Sequence, residues 1–365
     1  MDASGSDFKT LAHVVRDLKS YALSEGFDDL AVSNCDVSHA APKLKSWLDK
    51  GYAGDMGYLQ SRFNLRSSPE LLVDGVKRVI TLRMNYATAR DPSMQGLEFL
   101  NHAEKGFISQ YALGRDYHKV LRGKLKKVAR RLQDLVGSSQ QYRVFTDSAP
   151  IMEVEFAEKS GLGWRGKHTL LINRSIGSFF FLGEIFTDLE LPTGDQQEGH
   201  CGSCTRCIDV CPTGAIVAPY ELDARKCISY LTIELKGVIP EKYRSAIGNR
   251  IYGCDDCQVV CPWNKYAQQT TITDFMPRGH LDGRGLVELF GWSEQEFERF
   301  TEGSAIRRIG HDRWLRNIAC ALGNAPTTPE VLSALRARSG YPLEMVREHV
   351  IWAIKQHEER NHLIE

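Results

Sequence analysis

The sequence predicts an α+β fold built from three successive parts, and three observations support it. Over the first 190 residues helical and strand-like patterns of apolar residues follow one another. Eight of the ten cysteines lie between residues 201 and 261, and from about residue 285 the apolar spacing is helical again. We therefore expect an N-terminal α/β or α+β domain at residues 1–190, a cysteine-rich domain at 191–270 and a helical domain at 271–365.

The N-terminal elements follow from apolar periodicity and from turn-forming residues. Pro42, for example, fits the first position of a short helix. The predicted elements are a helix at 8–25, a strand at 30–32, a helix at 42–48, a strand at 78–84, a strongly basic helix at 117–135, a strand at 142–146, a helix at 150–159 and strands at 169–173 and 178–182.

Charge and composition exclude several classes of protein. The chain has 46 basic and 46 acidic residues, so any nucleic-acid binding must rest on local patches. An apolar fraction of 42% argues against disorder. The N-terminus lacks the pattern of a secretory signal, and no apolar run is long enough to span a membrane. These features predict a cytoplasmic protein, and nothing in them suggests more than a monomer.

The first group of cysteines has the spacing of a bacterial ferredoxin. Cys201, Cys204, Cys207 and Cys211 form a C-x2-C-x2-C-x3-C-P run that ends at Pro212. In two-cluster ferredoxins three thiolates of such a run bind one [4Fe–4S] cluster and the fourth binds the other cluster. The spacing therefore predicts iron–sulfur clusters.

A second, partial run completes the set of ligands. Cys254, Cys257 and Cys261 precede Pro262, and Cys227 supplies the missing fourth thiolate. Crossed ligation assigns Cys201, Cys204, Cys207 and Cys261 to one cluster and Cys211, Cys227, Cys254 and Cys257 to the other.

Zinc sites, radical-SAM motifs and disulfides fit the cysteine spacing less well. Structural zinc sites usually combine C-x2-C pairs separated by a dozen or more residues, and a radical-SAM motif would need C-x3-C-x2-C. In a reducing compartment dense cysteines favour metal ligation over disulfides. Cys35 and Cys320 stand apart from the runs, and we expect Cys320 to be a buried packing thiol.

A glycine-rich segment at residues 161–167 matches two phosphate-binding patterns superficially. It follows a predicted helix and opens a strand, whereas a dinucleotide fingerprint follows a strand and opens a helix. His168 occupies the position of the hydroxyl residue of a P-loop. We interpret the segment as a turn whose backbone approaches a ligand closely.

Asp147 follows the predicted strand at 142–146 and has two interpretations. At the end of a strand it could face a crevice and donate a proton. Alternatively it could cap the helix that the motif Ser148-Ala149-Pro150 begins, and the residues alone favour this second interpretation.

The C-terminal part contains two similar helical segments, around Arg316–Leu322 and Arg347–Ile354. Self-similarity of this kind predicts HEAT-like helix pairs, with a plain helical bundle as the alternative.

Several motifs together resemble the epoxyqueuosine reductase family. They are Phe145–Pro150, Gly161–His168, Gly177–Ile185, Cys227–Glu234 and the cysteines from Cys201 to Cys261. The resemblance implies deoxygenation of epoxyqueuosine at the wobble position of tRNAs for Tyr, His, Asp and Asn, with cobalamin and two [4Fe–4S] clusters as cofactors.

The resemblance also implies roles for individual residues. Asp147 would donate a proton to the epoxide oxygen. No Asp-x-His-x-x-Gly motif is present, so we expect no protein histidine on cobalt. The second cluster would lie beside the corrin, and an external donor would reduce the first. Lys167 and Asn173 are further candidate neighbours. The implied cobalamin-binding residues are Arg66, Tyr111, Asp147, Leu171, Leu182, Glu234, Cys254 and Asp255.

Two basic runs could contact a tRNA substrate. One spans residues 115–131, and the other comprises Arg307, Arg308, His311, Arg313 and Arg316. Such runs can neutralise backbone phosphates, although each could equally be a solvated helix face.

Two other functions remain open from the sequence. A related reductase of the reductive dehalogenase type would share cobalamin and two clusters, but the expected export signal is absent. A ferredoxin-like electron carrier would leave the N-terminal domain without a purpose.

Overall fold

The computed structural model describes residues 3–88, 98, 100–137 and 141–362. Its helices are α1 (Ala3–Ser24), α2 (Ala41–Asp49), α3 (Gly57–Ser61), α4 (Phe63–Ser67), α5 (Tyr117–Val136), α6 (Glu153–Lys159), α7 (Arg206–Asp209), α8 (Ile228–Ile233), α9 (Glu241–Ile247), α10 (Asp256–Val259), α11 (Leu286–Gly291), α12 (Glu294–Phe300), α13 (Gly310–Asn324), α14 (Pro329–Ala337) and α15 (Glu344–His362).

The strands are β1 (Asp29–Asn34), β2 (Arg78–Asn85), β3 (Phe107–Ile108), β4 (Tyr142–Phe145), β5 (Trp164–Arg165), β6 (Leu171–Ile172), β7 (Phe180–Thr187), β8 (Ile216–Ala218), β9 (Glu221–Leu222) and β10 (Arg250–Tyr252). The chain divides into two compact units. The first unit comprises residues 1–90, 117–205 and 262–274, and the second comprises 91–116, 206–261 and 275–365.

The first unit is organised around one sheet in the order β1-β2-β7-β4, and each neighbouring pair is antiparallel. Of the two classes expected for the first domain, this sheet fits α+β, and the α/β description is wrong for it, because alternation of helices and strands along a chain does not determine the direction of the strands. The wider prediction of a mixed helix and strand fold is confirmed.

Helices cover both faces of this sheet. Helix α5 packs on β7 so closely that a Cβ at Gly183 would lie 2.7 Å from a methyl carbon of Leu125. Helix α6 packs on the opposite face, where its Phe156 meets Phe145 and Phe186 in an apolar cluster. Strand β7 is therefore buried on both faces, as a central strand should be.

The second unit is built around α13, which packs against α15, α11, α9 and β10. The short strands β3 and β10 pair in parallel in this unit. Helices α11 to α15 confirm that the C-terminal part is helical.

Most predicted elements of the first unit are present with shifted ends. Strand β7 begins at Phe180 and extends to Thr187, beyond the predicted 182. Strand β6 is only Leu171–Ile172, because the chain around it turns repeatedly. Helix α6 begins at Glu153 rather than at 150, which changes the interpretation of the preceding turn. The predicted three-part division stays a prediction.

Candidate active site and cluster-binding segments

Asp147 lies at the end of β4, where the chain turns away from the sheet. Its φ angle is +40°, a left-handed conformation that non-glycine residues rarely adopt. The hydroxyl of the preceding Thr146 donates to the carbonyl of Leu182 at 3.5 Å, which keeps the turn beside β7. The Asp147 side chain is 52% exposed, so its carboxyl group can meet a ligand.

The first two residues of α5 hold this carboxyl group. The Nε2 atom of His118 lies 2.9 Å from Oδ2 of Asp147, and the Tyr117 hydroxyl donates to the same oxygen. The Tyr117 ring is stacked on Phe181, with ring centroids 4.2 Å apart. An acid in contact with an imidazole and a phenol can exchange a proton with either partner.

The structure rejects helix capping as the role of Asp147. Helix α6 begins at Glu153, and the residue at its N-cap position is Met152. The hydrogen bond has the opposite sense, because the backbone N–H of Asp147 donates to Oε1 of Glu153. The carboxyl group of Asp147 therefore does not cap helix α6.

The candidate cofactor residues divide between the units. In the first unit Leu171 is buried in an apolar cluster against which the half-buried Leu182 packs. Arg66 is buried in α4, and Nη1 donates to the carbonyl of Tyr58 at 3.4 Å. Burial lowers the pKa of this guanidinium, and the charge of Glu153 partly opposes the decrease.

In the second unit Tyr111 and Glu234 act on Tyr252. The rings of Tyr111 and Tyr252 are 6.2 Å apart, and burial raises the pKa of Tyr252 to about 12, with Glu234 contributing to the increase. Asp255 is buried and accepts hydrogen bonds from Ser109 Oγ at 2.5 Å and Gln110 N at 2.8 Å. Both oxygens of its carboxyl group thus accept hydrogen bonds from residues 109–110 of its own chain.

Six of the eight cluster cysteines lie in the second unit, and Cys201 and Cys204 lie in the first. Burial raises the pKa of the Cys257 thiol well above its usual value, and the charges of Cys227 and Cys211 raise it further. Burial likewise raises the pKa of Cys254. Thiols crowded in this way become thiolates only when a cation is bound, as iron ligation requires.

A bidentate ion pair supports the segment around Cys254. Arg250 Nε donates to Oδ1 of Asp256 at 2.8 Å, and Nη2 donates to Oδ2 at 2.5 Å. The Cys254 sulfur lies 3.1 Å from Oδ1 of Asp256. Within the described residues no three His, Cys, Asp or Glu side chains converge as they would on one metal ion. A cubane holds its four thiolates farther apart than a single ion does.

Lys167 is tied to the loop that carries the first two cysteines. Its Nζ donates to the carbonyls of Gly202 at 2.7 Å and Cys204 at 2.9 Å. The second predicted neighbour, Asn173, instead bonds the carbonyl of Leu162 at 2.9 Å. Lys167 therefore fixes the backbone of a cluster-binding loop, while Asn173 has a local structural contact.

Comparison with known proteins gives matches over almost the whole chain. A family model described as epoxyqueuosine reductase QueG, DUF1730, matches residues 66–148, and one described as a 4Fe-4S double cluster binding domain matches residues 200–264. The epoxyqueuosine reductase of Escherichia coli is 52% identical over 351 residues, which cover 96% of this chain and 91% of that protein. The Pseudomonas aeruginosa reductase is 51% identical, with 95% and 96% covered.

The chain belongs to the epoxyqueuosine reductase family. It is therefore an oxidoreductase of queuosine and tRNA modification with a double-cluster domain. A solved epoxyqueuosine reductase with a tRNA-Tyr epoxyqueuosine-modified stem loop has a TM-score of 0.85 at 28% identity, with 95% of this chain and 91% of that chain covered. Membership of this family decides against the two alternative functions, a dehalogenase-like reductase and a simple electron carrier.

The glycine-rich segment of this reductase packs on its own chain. A Cβ at Gly161 would lie 2.4 Å from the carbonyl of Asp195, and one at Gly163 would lie 2.2 Å from the carbonyl of Ile172. The expectation of a close approach to a ligand is wrong at these two positions, because backbone already fills the space.

The basic run of the reductase on α5 separates into two faces. Lys124 and Lys127 bond Glu25, the residue after α1, through its carbonyl and its carboxylate. The exposed remainder forms a stripe along one face of the helix, which we call the α5 stripe and which consists of Lys119, Arg122, Lys126 and Arg130.

The second basic run is only partly exposed, at Arg307 and Arg308. Arg316 is completely buried, and its guanidinium donates to the carbonyls of Leu231, Leu235 and Gly237, each at 2.7 Å. Arg313 bonds backbone carbonyls too. The expectation that this run binds phosphate is wrong for Arg316, because the helical spacing turns it into the interior.

Sequence reasoning missed Tyr117, His118, Glu153 and Glu184 of the reductase. One signal was present for Glu184, the single charged residue in the apolar run 178–187. A charge in a strand of that kind is rarely buried without a function. In the part of the chain that the structure describes, none of the helices has the length and apolar content of a membrane-spanning segment.

Proposed function

We propose that this reductase removes the epoxide oxygen of epoxyqueuosine at the wobble position of tRNAs for Tyr, His, Asp and Asn, with Asp147 as the proton donor. The observation that carries the proposal is the exposed Asp147 carboxyl, which an imidazole contacts at 2.9 Å. The solved relative with a tRNA-Tyr epoxyqueuosine-modified stem loop supports the substrate. A second relative, from Bacillus subtilis, is described with its catalytic aspartate loop swung out of the active site.

The reaction requires two electrons and two protons. Both carbon–oxygen bonds of the epoxide break, an alkene forms, and the oxygen leaves as water. Asp147 would give the first proton to the oxygen, and His118 or the Tyr117 hydroxyl would return a proton to Asp147. Turnover then depends on keeping the three groups in contact.

We propose two [4Fe–4S] clusters with the crossed ligation given above, and cobalamin as the third cofactor. When bound, cobalamin supplies a low-valent cobalt centre for the reductive step. His118 bonds Asp147, so this imidazole would hold the candidate proton donor in place beside the cofactor. The candidate corrin residues are Arg66, Asp147, Leu171 and Leu182 in the first unit and Tyr111, Glu234, Cys254 and Asp255 in the second.

We also propose that α13 to α15 are HEAT-like and that the α5 stripe contacts tRNA phosphates. The stripe begins one residue after His118, so its first members lie near the Asp147 end of the sheet. An exposed row of four cations can neutralise several phosphates of a substrate backbone.

The test is an Asp147→Asn variant, which keeps the size of the side chain and removes its proton. Wild type and variant are reconstituted anaerobically with iron, sulfide and cobalamin, and queuosine from epoxyqueuosine-containing tRNA is measured by nucleoside mass spectrometry. We expect turnover to fall by about 10²–10⁴-fold with cobalamin absorbance unchanged. Normal turnover by the cobalamin-loaded variant would remove Asp147 from the reaction. Asp134→Asn on the exposed side of α5 is the control.

A further inference from the structure

Two carboxyl groups lie behind Asp147, and the proposed reaction does not use them. Glu184 stands in the middle of β7 on the face that α6 covers, and its exposure is 0%. The residues paired with Glu184 on the neighbouring strands are Thr81 of β2 and Phe145 of β4. An unpaired carboxylate in such a place carries a large desolvation penalty, so the position demands a proton or a partner.

The surroundings of Glu184 supply no ordinary partner for its carboxyl group within the described residues. Within the described residues, neither carboxyl oxygen of Glu184 has a conventional hydrogen-bond donor, and the buried hydroxyl of the neighbouring Thr81 is also unpartnered. Two carboxyl groups can nevertheless bond each other when one of them carries a proton. Glu153 supplies that second carboxyl group, since its side chain bonds that of Glu184.

The protonation of this pair follows from its surroundings. Burial of the carboxyl group and the charge of Asp147 raise the pKa of Glu153 to about 8. Burial, with the charge of Glu153, raises the pKa of Glu184 well above its usual value. Glu153 is half-buried as a residue, and its Oε1 accepts the backbone N–H of Asp147. Near neutral pH the pair therefore holds at least one proton.

The same pair contacts the candidate proton donor directly. Oε1 of Glu153 accepts the backbone N–H of Asp147, the residue with a φ angle of +40°. The charged or titratable groups that face Glu153 are Asp147 from the turn, His118 from α5 and Arg66 from α4, besides Glu184 itself. The pair thus forms an inner layer behind Asp147, and Tyr117 and His118 form the outer layer.

We propose that Glu153 and Glu184 are positioning residues that share a proton and hold the Asp147 turn in its left-handed conformation. Glu184 donates the shared proton to Glu153, and Glu153 accepts the Asp147 N–H. The consequence for chemistry rests on the proposed role of Asp147. When the pair loses its last proton, a second negative charge arises beside the turn, and two repelling carboxylates no longer fix Glu153 in place.

Three substitutions separate this role from simple packing. Glu184→Gln keeps a donor toward Glu153 and mimics the protonated acid permanently. Glu184→Leu removes the donor but fills the space with apolar atoms. Because removing one member of a buried pair lowers stability, kcat is compared at a temperature where this variant is folded. Glu155→Gln in the same turn of α6 is the matched control, since that carboxylate faces Arg165 instead.

We expect Glu184→Leu to lower kcat by about 10- to 100-fold, as a displaced catalytic group does. Glu184→Gln should stay within a few-fold of wild type at neutral pH, and the alkaline decline of kcat should move to higher pH because this variant cannot form the second charge. Glu155→Gln should match wild type in both respects. A Glu184→Leu enzyme that folds and keeps wild-type kcat would overturn the proposal.

Two measurements test the pair without turnover. Infrared difference spectra across a pH titration should show a protonated carboxyl band at neutral pH in wild type that is lost in Glu184→Gln. Hydrogen exchange at the Asp147 amide should be faster in Glu184→Leu than in wild type. Absence of both changes would refute the pair even if Asp147→Asn is inactive. If Asp147→Asn is active while both changes occur, only the proton-donor role fails.

Discussion

His118 Nε2 lies 2.9 Å from Asp147 Oδ2, and this contact joins the start of α5 to the turn that follows β4. His118 is buried while the Asp147 carboxyl is half exposed, so the imidazole reaches the carboxyl from inside the protein. A ligand can therefore approach the exposed side of Asp147 without displacing His118. The arrangement suits an acid that donates a proton to a ligand on its exposed side and is reprotonated by His118 on its buried side.

Replacement of His118 tests this relay. We expect His118→Gln to lower single-turnover queuosine formation by about 10²-fold, because glutamine can bond Asp147 but cannot return a proton. Nucleoside mass spectrometry of epoxyqueuosine-containing tRNA gives the rate. His13→Gln on the exposed side of α1 is the control. Equal rates for the two variants would show that His118 only packs against the turn.

The crossed ligation of the clusters predicts a selective loss of iron. Cys227→Ser should lose one cluster and keep the other, so roughly half of the protein-bound iron should disappear. Iron analysis and electron paramagnetic resonance of the reduced protein provide the measurement. Cys35→Ser should keep all of its iron, because this thiol lies apart and contacts the carbonyl of Val76 at 3.5 Å. Loss of iron in Cys35→Ser would contradict the assignment.

The α5 stripe predicts how tRNA affinity depends on salt. Arg122→Glu together with Lys126→Glu should weaken binding and reduce the slope of log K against log salt by about two, one for each phosphate that is no longer neutralised. Lys77→Glu is the control, because it lies at the opposite end of the sheet from Asp147, paired with Glu190. An unchanged slope in the double variant would make the stripe a solvated helix face.

Stability should decrease as the pH rises, for a reason found in the Glu153 environment. The pKa of Glu153 is raised to about 8 in the folded protein, so between its ordinary value near 4.5 and pH 8 the folded state binds more protons than the unfolded state. The free energy of unfolding therefore falls across this interval. We expect thermal midpoints of wild type to drop by about 2–4 °C between pH 6 and 8 more than those of Glu153→Gln. A larger drop in thermal midpoint for Glu153→Gln than for wild type would contradict this prediction.

Arg316 predicts a large effect on stability and none on phosphate binding. Arg316→Ala removes the donor of three backbone carbonyls, of which that of Leu231 is buried, and empties a buried position; we expect a loss of about 3 kcal/mol or more in the free energy of unfolding. Arg307→Ala, an exposed residue that pairs with Glu298, should change it by less than about 1 kcal/mol. Similar unfolding curves for the two variants would disprove the buried role.

The sequence predicted most elements because their signals are local. The apolar spacing of α5 and the cysteine spacing of the double-cluster domain need no knowledge of distant residues. The position of Arg316 could not be read from its basic neighbours, since burial depends on carbonyls of residues 231–237 that α13 meets only after folding. Glu153 escaped notice for the same reason, because its partner Glu184 lies on another element.

The role of Asp147 could not be predicted from the sequence for a different reason. A proline three residues later made helix capping the ordinary interpretation, and only the true start of α6 at Glu153 removed it. The boundary of a helix is decided by competing hydrogen bonds at its first turn, which sequence patterns resolve poorly. Here the competing bond is the one from the Asp147 N–H to Glu153.

Arg316 and its neighbour Asn317 make the C-terminal helices inseparable from the cysteine segments. Asn317 Nδ2 donates to the carbonyls of Thr232 at 2.8 Å and Ile251 at 2.9 Å, which lie close in sequence to Cys227 and Cys254. Unfolding of α13 would therefore release both segments at once. Helix α13 is thus tied to both segments beside these proposed ligands, and a chain truncated before α13 should bind less iron than the full chain.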